Sequence, residues 1–158
     1  MAVIALRPLV DDDADDLFRM MQDPESVRMA AFTPEDPSDR ARFDAHLARI
    51  RTDPTTTNRV ITYDGRFAGS IACFVMEGDT EITYWIDRAL WGRGIASQAL
   101  AMFLQMVTVR PLHARAASDN AGSLHVLRKA GFQPQGTEIA YAAARGTKIE
   151  ETILRLDA

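Results

Sequence analysis

The run Glu81–Leu100, EITYWIDRALWGRGIASQAL, constrains the fold most, because it demands a strand, a glycine-rich turn and a helix start in immediate succession. From Glu81 to Asp87, Ile82, Tyr84 and Ile86 alternate with Glu81, Thr83 and Trp85, and β-branched and aromatic residues dominate, the pattern of a half-buried strand. From Ile95 to Val109, Leu100, Phe103, Leu104 and Val107 recur at helical spacing, and the pattern stops before Pro111. Between them lies Trp91-Gly92-Arg93-Gly94-Ile95-Ala96. Small residues there let several backbone N–H groups converge, and the helix start adds unsatisfied donors and the positive end of its dipole. Such a turn suits a pyrophosphate.

Two common phosphate-binding patterns do not fit. A dinucleotide fold wants G-x-G-x-x-G after its first strand, whereas Gly92 and Gly94 are followed by Ser97 and stand mid-chain. A P-loop wants G-x-x-x-x-G-K-S/T, and no Lys follows here.

The rest of the chain predicts the setting. A chain of 158 residues with 47% hydrophobic and 25% charged content predicts a single domain over 1–158 with its own core. No apolar run approaches the length of a membrane helix and no signal-like start is present, so a cytoplasmic location with no membrane contact is expected. A net charge of −4 without a Lys/Arg cluster argues against nucleic acid. Cys73, alone in the apolar run IACFVM, reads as a small core residue.

In order, the pattern predicts a strand over Ala2–Leu9 and a helix with Ala14, Leu17, Phe18 and Met21 inward. Asp11-Asp12-Asp13 before it reads as a helix cap rather than a metal site, since consecutive side chains diverge. A short helix over Glu25–Ala31 and a proline-rich loop lead to a helix over Ser38–Ile50, with Phe43, Leu47 and Ile50 inward. Strands follow at Arg59–Tyr63 and Phe67–Met76, joined at Asp64-Gly65, and Glu77-Gly78-Asp79 turns into the organising strand. A strand over Leu112–Ser118, a helix over Asn120–Ala130 ending on Gly131, and two strands over Phe132–Ala144 and Lys148–Leu156 complete the chain. The sum is a mixed α/β sheet with helices on both faces.

The turn resembles the R/Q-x-x-G-x-G/A acyl-CoA loop of the GNAT family of N-acetyltransferases, with Trp91 in the R/Q place. Glu81-Ile82-Thr83-Tyr84-Trp85 is similar to the E-I-G-Y-W run of the branch that acetylates N-terminal amines of ribosomal proteins. The element order agrees over nearly the whole chain. The resemblance implies an α/β (α+β) fold of GNAT type: a mixed, mostly antiparallel sheet whose central parallel pair splays apart. It also implies acetyl-CoA as acyl donor, no metal, and an amine as acceptor.

The resemblance carries roles onto particular residues. Glu81 is the first choice for the base that takes the amine proton, with Asp79 and Glu77 in reserve; its other reading is a partner for an Arg. A bulge in this strand would free a backbone N–H of Tyr84, Trp85 or Ile86 for the thioester oxygen. Ile86 and Arg88 would pair with the pantetheine arm. Arg93, Gly94, Ile95, Ala96 and Ser97, with Gly92, would hold the pyrophosphate, and Trp91 would pack beside the cofactor or the sheet edge. Arg93 would either add charge or lie in solvent. Asn120 would bond the pantetheine amide or simply cap its helix. The family's usual Tyr acid is replaced by Leu127, and Ser123, one turn earlier on the same helix face, is the candidate donor to the leaving thiolate, or else a helix-start residue. His125 would point elsewhere, and His46 has no assigned role. Met29 and Phe32 are candidates for acceptor contact, whereas Phe43 is expected in the core. The last strands are where a homodimer would form. Two other readings stay open: the same fold acting on a small amine such as a polyamine, amino sugar or amino acid, and a non-catalytic acyl-CoA-binding regulator.

Overall fold

The computed structural model describes residues 2–158. The strands are β1 (Ile4–Pro8), β2 (Thr57–Tyr63), β3 (Arg66–Met76), β4 (Asp79–Ile86), β5 (Leu112–Ala117), β6 (Gln133–Ala142) and β7 (Thr147–Leu156). The helices are α1 (Ala14–Met20), α2 (Pro24–Ala30), α3 (Arg40–Thr52), α4 (Ile95–Met106) and α5 (Ala121–Lys129), with 3-10 turns at Asp11–Asp13 and Arg88–Leu90. The strands form a seven-stranded sheet in the order β1-β2-β3-β4-β5-β7-β6. Among the described residues only β4 and β5 run parallel.

The two faces of the sheet bury different clusters. Leu100 and Phe103 of α4 and Leu127 of α5 pack with Ile61, Ile71, Ile82, Leu112 and Leu154 on one face. Leu17 and Met20 of α1 and Leu47 of α3 pack with Phe67 and Trp85 on the other. Alternation along β4 therefore sends Ile82, Tyr84 and Ile86 toward α4 and α5, and Glu81, Thr83 and Trp85 to the opposite face. Cys73 is buried in the larger cluster, as expected. No helix of the described residues is long and apolar enough to cross a membrane.

Element boundaries move where caps and turns decide them. The third helix starts at Arg40 rather than Ser38, because the Asp39 carboxylate accepts from the Arg42 N–H as its N-cap. Only Glu77 and Gly78 form the turn before β4, so Asp79 already pairs with Met76. At the end of α1, Met20 is buried, whereas Met21, expected inward, is only partly covered at the helix C-cap. The fifth helix ends as predicted at Gly131, with the Phe132 N–H donating to the Leu127 carbonyl at 3.0 Å.

The aspartate run does not cap α1 through a side chain as expected, because the Asp13 carboxylate is turned back to Arg7 and the Val10 N–H. Asp13 is buried, accepts from the Arg7 guanidinium at 2.7 and 2.9 Å, and also accepts from the Val10 N–H at 2.9 Å. These hydrogen bonds, led by Arg7, hold its carboxyl below the usual range. Among the described residues no group of three or more His, Cys, Asp or Glu is placed to hold a metal.

One irregularity sets the position of β4. The β2–β3 register skips Ala68, so β3 carries an extra residue there and bends. The Asp87 N–H then bonds the Ala68 carbonyl at 2.8 Å, and a Cβ on Gly69 would stand 2.1 Å from the Trp85 carbonyl oxygen. Only glycine permits that approach, because the obstacle is backbone. Gly69→Ala is predicted to push β4 off β3 and destabilise the fold by about 3 kcal/mol, the upper end for overpacking. Thermal unfolding checks this, with an expected drop of roughly 6–12 °C.

Candidate active site

Parallel pairing between β4 and β5 covers only Thr80 with Leu112 and Glu81 with His113. Beyond that point Ile82–Ile86 and Ala114–Ala117 diverge, and a cavity of about 710 Å³ opens between them. Its walls include Tyr84, Trp85 and Ile86 of β4, Ala114 and Ala116 of β5, Met29 of α2 and the start of α4. The splay is thus present, but the bulge expected in this strand is not. The β3–β4 register runs unbroken from Gly69–Ile86 to Met76–Asp79, and the extra residue sits in β3 instead.

The open edge of β4 can be assigned residue by residue. The Trp85 carbonyl points at Gly69, so Trp85 uses its backbone in the β3 ladder. The Ile86 carbonyl accepts the Trp91 indole N–H at 2.9 Å, so it points away from β3. Alternation places the backbone groups of Tyr84 on that same open side.

The glycine knuckle forms as the sequence predicts. Gly92 and Gly94 have φ of 81° and 74°, the left-handed region, and Gly94 is the N-cap of α4. A Cβ at either would meet nothing within 4 Å, so conformation rather than space requires glycine. The first bond of α4 runs from the Gln98 N–H to the Gly94 carbonyl at 3.2 Å. The N–H groups of Ile95, Ala96 and Ser97 therefore lack a helical acceptor, and all three residues line the cavity. Trp91, 37% exposed, lies at the end of β4 with the Arg88 guanidinium 4.6 Å over its ring. The Arg93 guanidinium lies 5.7 Å over the Tyr63 ring. Neither Arg88 nor Arg93 lines the cavity.

On α5, Asn120 is the N-cap: its Oδ1 accepts from the Ser123 N–H at 3.2 Å, and its Nδ2 donates to the Met29 carbonyl at 3.4 Å. The side chain thereby ties α5 to α2. Ser123 lines the cavity, with its Oγ 2.9 Å from the Tyr84 hydroxyl. Leu127, in the place of the missing Tyr, is a core residue. His125, about 200° around the helix from Ser123, is exposed and lies among the residues that surround the cavity. Met29 lines the cavity, but Phe32 does not; it packs on Ala31, Ala117 and Ala142. Phe43 stacks edge-on to Phe18 at 5.2 Å in the core, as expected.

Glu81 is 6% exposed at the last β4–β5 pair, the apex of the split. Arg115 Nε lies 3.4 Å from its Oε1 without hydrogen-bond geometry. The same guanidinium pairs with Glu138 at 3.0 Å and Glu151 at 3.3 Å. Burial raises the Glu81 carboxyl above its ordinary value, and the Arg115 charge only partly opposes that. Asp79 is exposed, 3.6 Å from His113, and Glu77 lies out in the turn; none of Asp79, Glu77 and Glu81 lines the cavity itself, and Glu81 alone of the three is buried, beside the lining residues Ile82 and Arg115. Arg115, which does line it, was missed by sequence reasoning. The one available signal was a charged residue on a β5 strand, LHARAA, whose other members apart from His113 are small or apolar.

A helix start offering free N–H groups, set at the open end of a split sheet, is suited to hold the pyrophosphate of a coenzyme. Residues 4–133 match the Acetyltransferase (GNAT) domain family, and the chain belongs to it. It is an acetyl-CoA-dependent N-acetyltransferase of the GNAT type, an enzyme class that needs no metal. The chain is similar to the uncharacterized N-acetyltransferase p20 of Bacillus licheniformis, with 24% identity over 157 residues covering 93% of this chain and 88% of the relative. Its fold is similar to Mycobacterium smegmatis RimJ in complex with CoA-disulfide (TM-score 0.84, 24% identity, 99% of this chain and 82% of that one). It is equally similar to spermidine N-acetyltransferase from Vibrio cholerae in complex with CoA and spermine (TM-score 0.84, 13% identity, 98% and 95% covered).

Proposed function

We propose that this enzyme acetylates the N-terminal amine of a protein by direct attack in a ternary complex, with Glu81 as the base. The carrying observation is the buried Glu81 at the apex where β4 and β5 part. Such a carboxylate, raised by burial, is a better proton acceptor near neutral pH than a solvated one. Its ion pair with Arg115 does not remove it from this role, because the guanidinium is shared with Glu138 and Glu151.

Acetyl-CoA supplies the thioester carbonyl. The backbone N–H of Tyr84 or Ile86 faces the place where its oxygen gathers charge. The knuckle from Gly92 to Ser97 holds the pyrophosphate through N–H groups, to which Arg93 adds its own while its guanidinium stays on Tyr63. Apolar walls from Ile82, Leu90 and Val126 suit a pantetheine arm, and Ile86 meets it with its backbone on the open side of β4, whereas Arg88 stands outside the cavity. Asn120 reaches it on giving up the long bond to Met29. Ser123 donates to the departing sulfur.

The protein acceptor is supported by the resemblance of the Glu81–Trp85 run to the ribosomal-protein branch and by Ser123 in place of the Tyr acid. Met29 contacts the acceptor; Phe32 supports it from behind through Ala31. A small polycationic amine is the second reading. It is favoured by Glu138 and Glu151, which leave the Arg115 cluster with excess negative charge beside Glu81. A screen of N-terminal peptides and polyamines, read as thiol release from acetyl-CoA, decides between the two. Turnover confined to polyamines rejects the first.

Glu81→Gln is predicted to lower turnover by about 10²–10⁴ at neutral pH. The base works ionised, so kcat/KM rises as pH passes upward through the Glu81 pKa, which burial raises above its ordinary value. The loss in the variant should shrink at high pH, where the free amine is plentiful. Wild-type rates across that range would transfer the role to Asp79 or Glu77, or to no residue.

Gly94→Glu forces a side chain into a left-handed position at a cost of about 1–2 kcal/mol and sets a negative charge at the anion cradle. Calorimetry should show CoA binding abolished while cooperative unfolding persists. Unchanged affinity would reject the knuckle as the pyrophosphate site.

A further inference from the structure

We propose that Tyr84 is a positioning residue for the leaving group: its phenol donates a hydrogen bond to Ser123 Oγ and so aims the Ser123 hydroxyl proton into the cleft. This rests on the reading of Ser123 as the donor to sulfur and adds the residue that makes a lone serine effective. Tyr84 OH and Ser123 Oγ are 2.9 Å apart, and both residues line the cavity. The two are 39 residues apart in sequence, one on β4 and the other in the first turn of α5.

The direction of the bond follows from acidity. A phenol, with a pKa near 10, is a far stronger donor than an aliphatic hydroxyl, and a serine oxygen accepts as readily as it donates. The alternative acceptor for the phenol, the Ser123 carbonyl, is farther away at 3.4 Å. With Oγ occupied as an acceptor by Tyr84, the single Ser123 proton is left for another partner. The cavity side is where that partner lies, since Ser123 Oγ has no second hydrogen bond among the described residues.

The arrangement also explains how the chain manages with Leu127 at the usual acid position. Leu127 is fully buried in the core and offers no donor. The phenol instead enters from the strand and acts through a serine. Burial raises the Tyr84 phenol above its ordinary value, so it stays neutral and serves as a fixed donor, not as a net source of protons. In the reaction the amine nitrogen bonds to the acyl carbon, the C–S bond breaks, and its electron pair goes to sulfur. The amine proton goes to Glu81 and then to solvent. Ser123 keeps its proton and stabilises the sulfur charge by a hydrogen bond that Tyr84 strengthens by polarising it.

A two-residue cycle tests this: Tyr84→Phe, Ser123→Ala and the double variant, each measured by steady-state kinetics and by the ultraviolet titration of the CoA thiol in the binary complex. Tyr84→Phe should lower kcat about tenfold with the KM for acetyl-CoA unchanged, and raise the pH at which bound CoA ionises by roughly one unit, the size of one hydrogen bond. In the Ser123→Ala background Tyr84→Phe should change neither quantity, because the phenol acts only through the serine. Equal effects of Tyr84→Phe in both backgrounds, or an unmoved thiol titration, would overturn the proposal. If Ser123→Ala lowers kcat while Tyr84→Phe does not, the Ser123 reading stands and the Tyr84 proposal alone falls. If Ser123→Ala is silent, both fall. Should Tyr84→Phe not fold, fluorotyrosine at position 84, a stronger donor of the same shape, should lower the thiol titration pH; no change overturns the proposal.

Discussion

The site depends on a parallel strand pair that is allowed to pair for only two residues. After Glu81 and His113, β4 and β5 have different partners to satisfy, and each is held elsewhere. On one side, β4 is bound to β3 over its full length, up to Ile86 against Gly69, where two backbones meet too closely for any Cβ. On the other, β5 is bound to β7 from Leu112–Leu156 to Ala117–Glu151. The gap between them exposes backbone donors that a closed sheet would consume. Alanines at 114, 116 and 117 keep the β5 wall thin, and the starts of α4 and α5 border the opening. Every site residue is arranged around this one unmade ladder.

What could be read from the sequence is what short-range chemistry decides. Strand alternation over Ile82, Tyr84 and Ile86, the two glycines before α4 and the Asn120 cap all act within a few residues, and all are where the pattern puts them. Contacts between distant segments were not legible. The tie from Asn120 to Met29 spans 91 residues, that from Arg115 to Glu151 spans 36, and that from Tyr84 to Ser123 spans 39. The bulge shows the same limit. An extra residue can be absorbed by any strand of the sheet, and only the pairing of β2 with β3 reveals that Ala68 absorbs it here. Trp91 is a further case: its size suggested packing, whereas its indole N–H claims the Ile86 carbonyl and so pins the knuckle to the strand.

The fate of Glu81 turns on how one guanidinium is divided. A carboxylate with an arginine of its own would be held ionised and acidic, a poor base. Here Arg115 faces three carboxylates: its hydrogen bonds go to Glu138 and Glu151, and Glu81 receives only a 3.4 Å approach. Glu138 and Glu151 stand directly opposite each other on β6 and β7, where two like charges repel unless a cation bridges them. The bridge therefore has first claim on Arg115. Glu81 is left with a positive field that opposes the effect of its burial without cancelling it. Pairing and base catalysis are thus compatible in one residue, because the pairing is incomplete.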